Sequence, residues 1–69
     1  MHRLDETLNA TLKLLSNGHW HKIEEIKEKI SMTEDKIEKA IQFLNEFEFV
    51  EVRGREVRIR ELGLKLLEF

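Results

Sequence analysis

The sequence predicts an α+β domain: a three-helix core, an antiparallel β-hairpin and a short C-terminal helix. Three observations carry that expectation. Apolar residues recur at helical spacing, most clearly at Ile37, Ala40, Ile41 and Leu44. Beyond Leu44 the apolar period shortens through Phe47, Phe49, Val50 and Val52 toward Gly54-Arg55, a pair suited to a two-residue type II′ turn with glycine first. That turn implies a register in which Arg53 meets Glu56, Val52 meets Val57, Glu51 meets Arg58 and Val50 meets Ile59. The apolar pairs then share one face and the opposite charges share the other, so turn chemistry and side-chain pattern agree.

The first helix is expected over residues 4–16, where Leu4, Leu8, Leu12 and Leu15 form a stripe that Ala10 and Leu14 widen. Asn17-Gly18 ends it, with Gly18 suited to a left-handed cap. His19, Trp20 and His21 read as a short extended piece, with Trp20 over the edge of the core. A second helix follows over residues 23–30, burying Ile23, Ile26 and Ile30. His21 or Lys22 stands at its start, and neither is a good cap. Ser31-Met32-Thr33 connects tightly to the third helix, and two helices joined by about three residues have helix-turn-helix geometry.

In the third helix Thr33 suits the cap, Met32 and Ile37 suit a hydrophobic staple, and Glu34 and Asp35 suit the positive end of the helix dipole. Ser31 competes for the cap, because Ser31 and Glu34 also have capping-box spacing. The C-terminal helix is expected over residues 61–69, weakened by Gly63. Leu62, Leu66 and Phe69 share one side of it, and Leu64 and Leu67 face another way. The expected core is Leu8, Leu12, Leu15, Ile23, Ile26, Ile30, Ile37, Ile41, Leu44, Val50, Val52, Val57 and Ile59.

Sixty-nine residues make one domain, spanning residues 1–69, that buries only about 60% of its extended surface. At 41% hydrophobic and 38% charged, the composition is too apolar for a disordered chain. The absence of cysteine excludes disulfides and thiolate chemistry and fits a reducing compartment. With no visible signal peptide and no bilayer-length apolar run, no membrane association is expected and the cytoplasm is the expected location. The lack of proline and the wealth of Glu and Lys point to a heat-adapted source.

Charge is unevenly distributed. Residues 31–52 carry two lysines against six acids, whereas residues 53–69 carry Arg53, Arg55, Arg58, Arg60 and Lys65 against three acids. The middle is acidic and the hairpin basic, which differs from the uniform positive field of a strong non-specific nucleic-acid binder.

The order helix, short strand, helix, tight turn, helix, hairpin, helix resembles a winged helix-turn-helix domain over nearly the whole chain. The resemblance is closest at KISMTEDKIEKAIQFLNEFEFVEV, residues 29–52. Residues 49–60 resemble the wing, and IRELGLKLL, residues 59–67, is similar to the strand-to-helix exit of many small microbial transcriptional regulators.

The resemblance implies a transcriptional regulator or its DNA-binding domain, with double-stranded DNA as partner. The third helix would enter the major groove with a face that includes Asp35, Lys36, Glu38, Lys39, Gln42 and Asn45. Of these, Lys36 and Lys39 suit phosphates or guanine edges and Gln42 suits adenine. Glu34, Asp35 and Glu38 depart from the usual neutral or basic pattern. The wing arginines, Arg53, Arg55, Arg58 and Arg60, would touch backbone or minor groove. The same fold also serves as a protein-docking module. The alternative is therefore a protein–protein interaction domain without direct DNA binding, using the acidic helix face or exposed aromatics such as Phe43 within a larger protein complex.

No catalytic residues are singled out, so no enzyme activity and no cofactor are expected. His19 and His21 have only Glu24 and Glu25 nearby, in no recognised metal spacing, and are expected as surface or half-buried histidines rather than ligands. Leucines in excess of what a small interior holds suggest a homodimer through the terminal helices, with Leu14, Leu64 and Leu67 at the interface.

Overall fold

The computed structural model describes residues 6–68, so Leu4 of the expected first stripe and Phe69 of the expected last helix lie outside the described residues. The elements are α1 (Glu6–Leu14), β1 (His21–Lys22), α2 (Ile23–Lys29), α3 (Glu34–Glu46), β2 (Val50–Arg53), β3 (Glu56–Ile59) and α4 (Glu61–Leu67). Three helices and a three-stranded antiparallel sheet in the order β1-β3-β2 enclose one core, and α4 packs against α1. This is a winged helix-turn-helix architecture. No helix among the described residues is long and apolar enough to cross a membrane.

The hairpin register agrees with the expectation at all four pairs: Arg53–Glu56, Val52–Val57, Glu51–Arg58 and Val50–Ile59. Gly54 takes φ +61° and Arg55 stays out of the positive region, as a type II′ turn requires. On its other side β3 pairs with β1, His21 opposite Val57, and the Ile23 amide extends the ladder to the Arg55 carbonyl at 2.9 Å.

Thr33 is the α3 cap. Its hydroxyl accepts from the Lys36 amide at 3.2 Å, which decides between Thr33 and Ser31. Met32 packs against the core cluster that contains the fully buried Ile37, and the two stand at the staple positions on either side of the Thr33 cap. At the other end of α3, the Phe49 amide donates to the Leu44 carbonyl at 2.8 Å and the Glu48 amide to Asn45 at 3.1 Å. This is a Schellman closure, and it puts Glu48 rather than a glycine at φ +65°.

Leu12, Leu15, Ile26, Ile37, Leu44, Val50 and Val57 are fully buried, and Ile30, Ile41 and Ile59 nearly so. Three expected core residues differ. Leu8 and Ile23 are half-buried against the core, and Val52 is 36% exposed. Val52 lies near the tip of the edge strand β2, whereas its partner Val57 is on β3, flanked by both other strands. Position in the sheet, not the pairing, sets their burial.

α1 is shorter than the expected 4–16 span at its C-terminal end, closing through i→i+3 bonds from Ser16 to Lys13 and Gly18 to Leu15. It buries Thr7 and Thr11 as well as Leu12, and the Thr11 hydroxyl donates to the Thr7 carbonyl at 2.7 Å.

The inner side of α4 is Gly63, Leu66 and Leu67, with Leu62 and Leu64 exposed. The expected grouping of Leu62 with Leu66 therefore does not hold. The cause is Gly63. A Cβ there would collide with the Phe49 carbonyl oxygen and come within 2.7 Å of Ile59 Cγ1. The glycine lets the helix approach the β2 entry and β3 with its Gly63 face inward, and Leu66 and Leu67, three and four residues on, lie on that same side.

Candidate nucleic-acid interface

The buried stripe of α3 leaves Asp35, Lys39, Gln42 and Glu46 as an outward row at helical spacing, all exposed. Lys36, Gln42 and Asn45 are exposed, and their side chains have no polar partner among the described residues. Lys39 meets Asp35 at 3.4 Å, but both are more than 70% exposed, so the pair is weak and salt-sensitive.

The flank of α3 that faces α2 is different. Lys27 of α2 donates to Glu38 Oε2 at 2.9 Å and to Glu34 Oε2 at 3.3 Å, with only 16% of its side chain exposed. The Glu38 hydrogen bond, opposed by partial burial and helped by Glu34, holds the ammonium above its ordinary pKa. One lysine thus offsets two of the acids that set this helix apart from a basic recognition helix. On the opposite flank Phe43 and Phe47 expose their rings and pack on each other, centroids 4.8 Å apart at 47°.

In the hairpin three of the four arginines have carboxylate partners. Arg58 meets Glu51 at 2.8 Å and Arg53 meets Glu56 at 3.9 Å, both following from the register. Arg55 hydrogen-bonds Glu24 of α2. Arg60 is exposed, and its side chain has no ionic partner among the described residues. Arg53 and Arg58 also bring Cζ over the Trp20 ring, 4.3 and 4.7 Å from a ring centroid. Trp20 is half-buried at the sheet edge, and these arginines are contacts the sequence reading did not anticipate. The β1 pairing is the missing signal: extended by one residue, it puts Trp20 opposite Arg58.

His19 is exposed, as expected, but His21 is buried. Its Nδ1 lies 2.9 Å from Glu25 Oε2 and its Nε2 2.9 Å from Asn17 Oδ1, which also accepts the His19 amide. The imidazole ties the end of α1 to α2. The His21 hydrogen bond is the main reason the Glu25 carboxyl lies below its ordinary pKa. Among the described residues no three His, Asp or Glu side chains converge as metal ligands would. Of the three leucines expected at a dimer interface, Leu14 and Leu67 are half-buried against the chain's own core and Leu64 is 41% exposed.

No protein-family model matches the sequence, and no curated protein does. Among solved structures, a double mutant of ZitR from Lactococcus lactis matches with a TM-score of 0.79 at 22% identity, over 97% of this chain and 50% of that one. AF1382 from Archaeoglobus fulgidus matches with a TM-score of 0.69 at 20% identity, over 91% of this chain and 77% of that one. The chain therefore spans half the length of the ZitR chain. At these identities the likeness defines a shared winged helix-turn-helix fold.

Proposed function

We propose that this chain is the DNA-binding domain of a transcriptional regulator, or such a regulator itself, acting in the cytoplasm. The reading has α3 enter the major groove, with Lys36, Lys39 and Gln42 toward base edges and phosphates and Asn45 at the far end. The hairpin lies on the backbone through Arg53, Arg55, Arg58 and Arg60. The observation that carries it is the outward row of α3: exposed, on a helix whose opposite stripe is committed to the core. Lys27 adds support, because it draws Glu34 and Glu38 toward α2 and lessens their repulsion of phosphate.

The reading includes pairing of two copies through α1 and α4, with Leu64 the exposed leucine of the set and Leu14 and Leu67 at its margin. Two-fold symmetry would set the two α3 helices about 34 Å apart, on successive turns of DNA. Sedimentation equilibrium showing a constant monomer mass across micromolar concentrations removes the pairing.

Titration against a mixed pool of genomic duplex DNA tests the main claim. Binding at low salt is expected to weaken with salt at about 0.9 log units per decade for each phosphate engaged. Charge reversal at Arg53 and Arg55 is expected to weaken binding and flatten that slope. A second reading, a protein-docking domain without DNA contact, is favoured by the exposed Phe43–Phe47 pair. Absence of any salt-sensitive association at micromolar concentration and low salt selects it.

A further inference from the structure

The outer face of the sheet holds its arginines in two ways. Arg53 and Arg58 each have a carboxylate, Glu56 at 3.9 Å and Glu51 at 2.8 Å. Both also lie over Trp20, the residue just before β1, which β3 separates from β2, so that one ring collects guanidinium groups from two strands. The two kinds of contact act differently on a guanidinium. A carboxylate occupies N–H donors and cancels charge. An aromatic face attracts the cation through its quadrupole and leaves the donors at the guanidinium rim free and the charge intact.

We infer that Trp20 is a positioning residue for the arginine hairpin: its ring keeps Arg53 and Arg58 on the outer sheet face while they exchange Glu56 and Glu51 for the phosphates of a nucleic-acid backbone. The inference rests on the DNA-binding reading. The carboxylate contacts suit such an exchange, since all four side chains are at least 41% exposed and exposed ion pairs are weak. Arg58, 42% exposed, is the more constrained of the two arginines, and Arg53, 70% exposed, is the more available. By restricting both before binding, the ring lowers the side-chain entropy lost when phosphate arrives.

The test compares wild type, Trp20→Leu and Trp20→Phe for binding to a mixed-sequence DNA duplex across a salt series. The His21–Val57 pairing is followed by amide spectra in each variant. Trp20→Leu is expected to weaken binding roughly tenfold, because two arginine side chains must then be ordered only on binding. Its salt slope is expected to flatten by up to about 1.8, two phosphates' worth. Trp20→Phe, which keeps an aromatic face, is expected to restore most of both. A purely structural tryptophan would not move the salt slope.

If wild type binds and Trp20→Leu, with its strand pairing intact, matches it in affinity and slope, the inference is overturned and the DNA reading stands. If wild type does not bind duplex DNA, both fall. Should Trp20→Leu lose the strand pairing, the Arg53→Ala, Arg58→Ala double variant decides. Acrylamide quenching of Trp20, the chain's one tryptophan, is expected to rise when its covering cations are removed. Unchanged quenching overturns the inference.

Discussion

Arg55, in the hairpin turn, is hydrogen-bonded through Nε to Glu24 in the first turn of α2, 31 residues earlier in the chain. The main chain repeats the tie, with the Ile23 amide on the Arg55 carbonyl at 2.9 Å. The hairpin tip is therefore anchored to the start of a helix whose N-cap, Lys22, makes no side-chain capping bond. Arg55 serves this internal contact first. Among the four wing arginines, its charge is more committed within the domain than that of Arg60.

The tie has a pH signature. The Arg55 hydrogen bond is the main cause holding the Glu24 carboxyl below its ordinary value of 4.5, and the His21 hydrogen bond does the same for Glu25. Depressed carboxyl values contribute stability that is present above pH 4.5 and is lost as pH falls through the lower folded values. Lys27, raised above 10.5 chiefly by Glu38, contributes stability present below pH 10.5 and lost as pH rises through its folded value. Thermal melts across pH are expected to show Tm falling below pH 4.5, and a Glu24→Gln, Glu25→Gln variant is expected to show a shallower fall. An equally steep fall in that variant would mean neither pair contributes.

Gly63→Ala is expected to destabilise the domain although it improves helix propensity. In an open helix that change gains up to about 1 kcal/mol. Here the new methyl would meet Phe49's carbonyl oxygen and Ile59's side chain. The overpacking cost of about 1–3 kcal/mol should dominate, because a backbone oxygen cannot rotate away. Urea denaturation reads the sign directly, and a stabilised variant would show that α4 shifts freely on the sheet.

That glycine also shows where sequence reasoning stops. Periodicity and turn chemistry are local, so α3 and the hairpin register are legible residue by residue, while the α3 cap narrows only to Thr33 or Ser31 until the Thr33 hydrogen bond is seen. Gly63 looked like a weak point in a helix because nothing local reveals that Phe49 and Ile59 lie beneath it. Val52 and Val57 make the same point: pairing them needed only the turn, but their different burial depends on β1 joining the far side of β3. The candidate site divides likewise. The arginine–glutamate pairs within the hairpin follow from its register. Lys27 with Glu34 and Glu38, Arg55 with Glu24 and both arginines with Trp20 join separate elements, so they required the assembled fold.

Glu48→Gly is expected to stabilise. Glu48 holds φ +65° in the Schellman closure of α3, a conformation costing a non-glycine residue about 1 kcal/mol or more. Glycine removes that strain and gives back part of the gain through a more flexible unfolded chain. A net rise of about 0.5–1 kcal/mol in unfolding free energy is expected, measured by denaturant titration. Glu48 is exposed and makes no side-chain bond among the described residues, so no lost contact opposes the gain. A destabilised Glu48→Gly would mean the closure is not maintained in solution.

Lys27→Ala is expected to weaken DNA binding even though Lys27 belongs to α2 and is mostly covered. The lysine now offsets Glu34 and Glu38 on one flank of α3. Removing it frees two carboxylates beside the row proposed to enter the groove, and free carboxylates repel phosphate. A weakening of roughly twofold to fivefold is expected at low salt, in keeping with the modest strength of exposed charge interactions, and it should shrink as salt rises. Adding Glu34→Gln and Glu38→Gln to Lys27→Ala is expected to restore affinity to at least the original level, since no liberated charge remains. That restoration separates an electrostatic role from general damage to the α2–α3 packing, which neutral glutamines would not repair. If the triple variant binds as poorly as Lys27→Ala alone, the lysine acts through packing and not through the charge of α3.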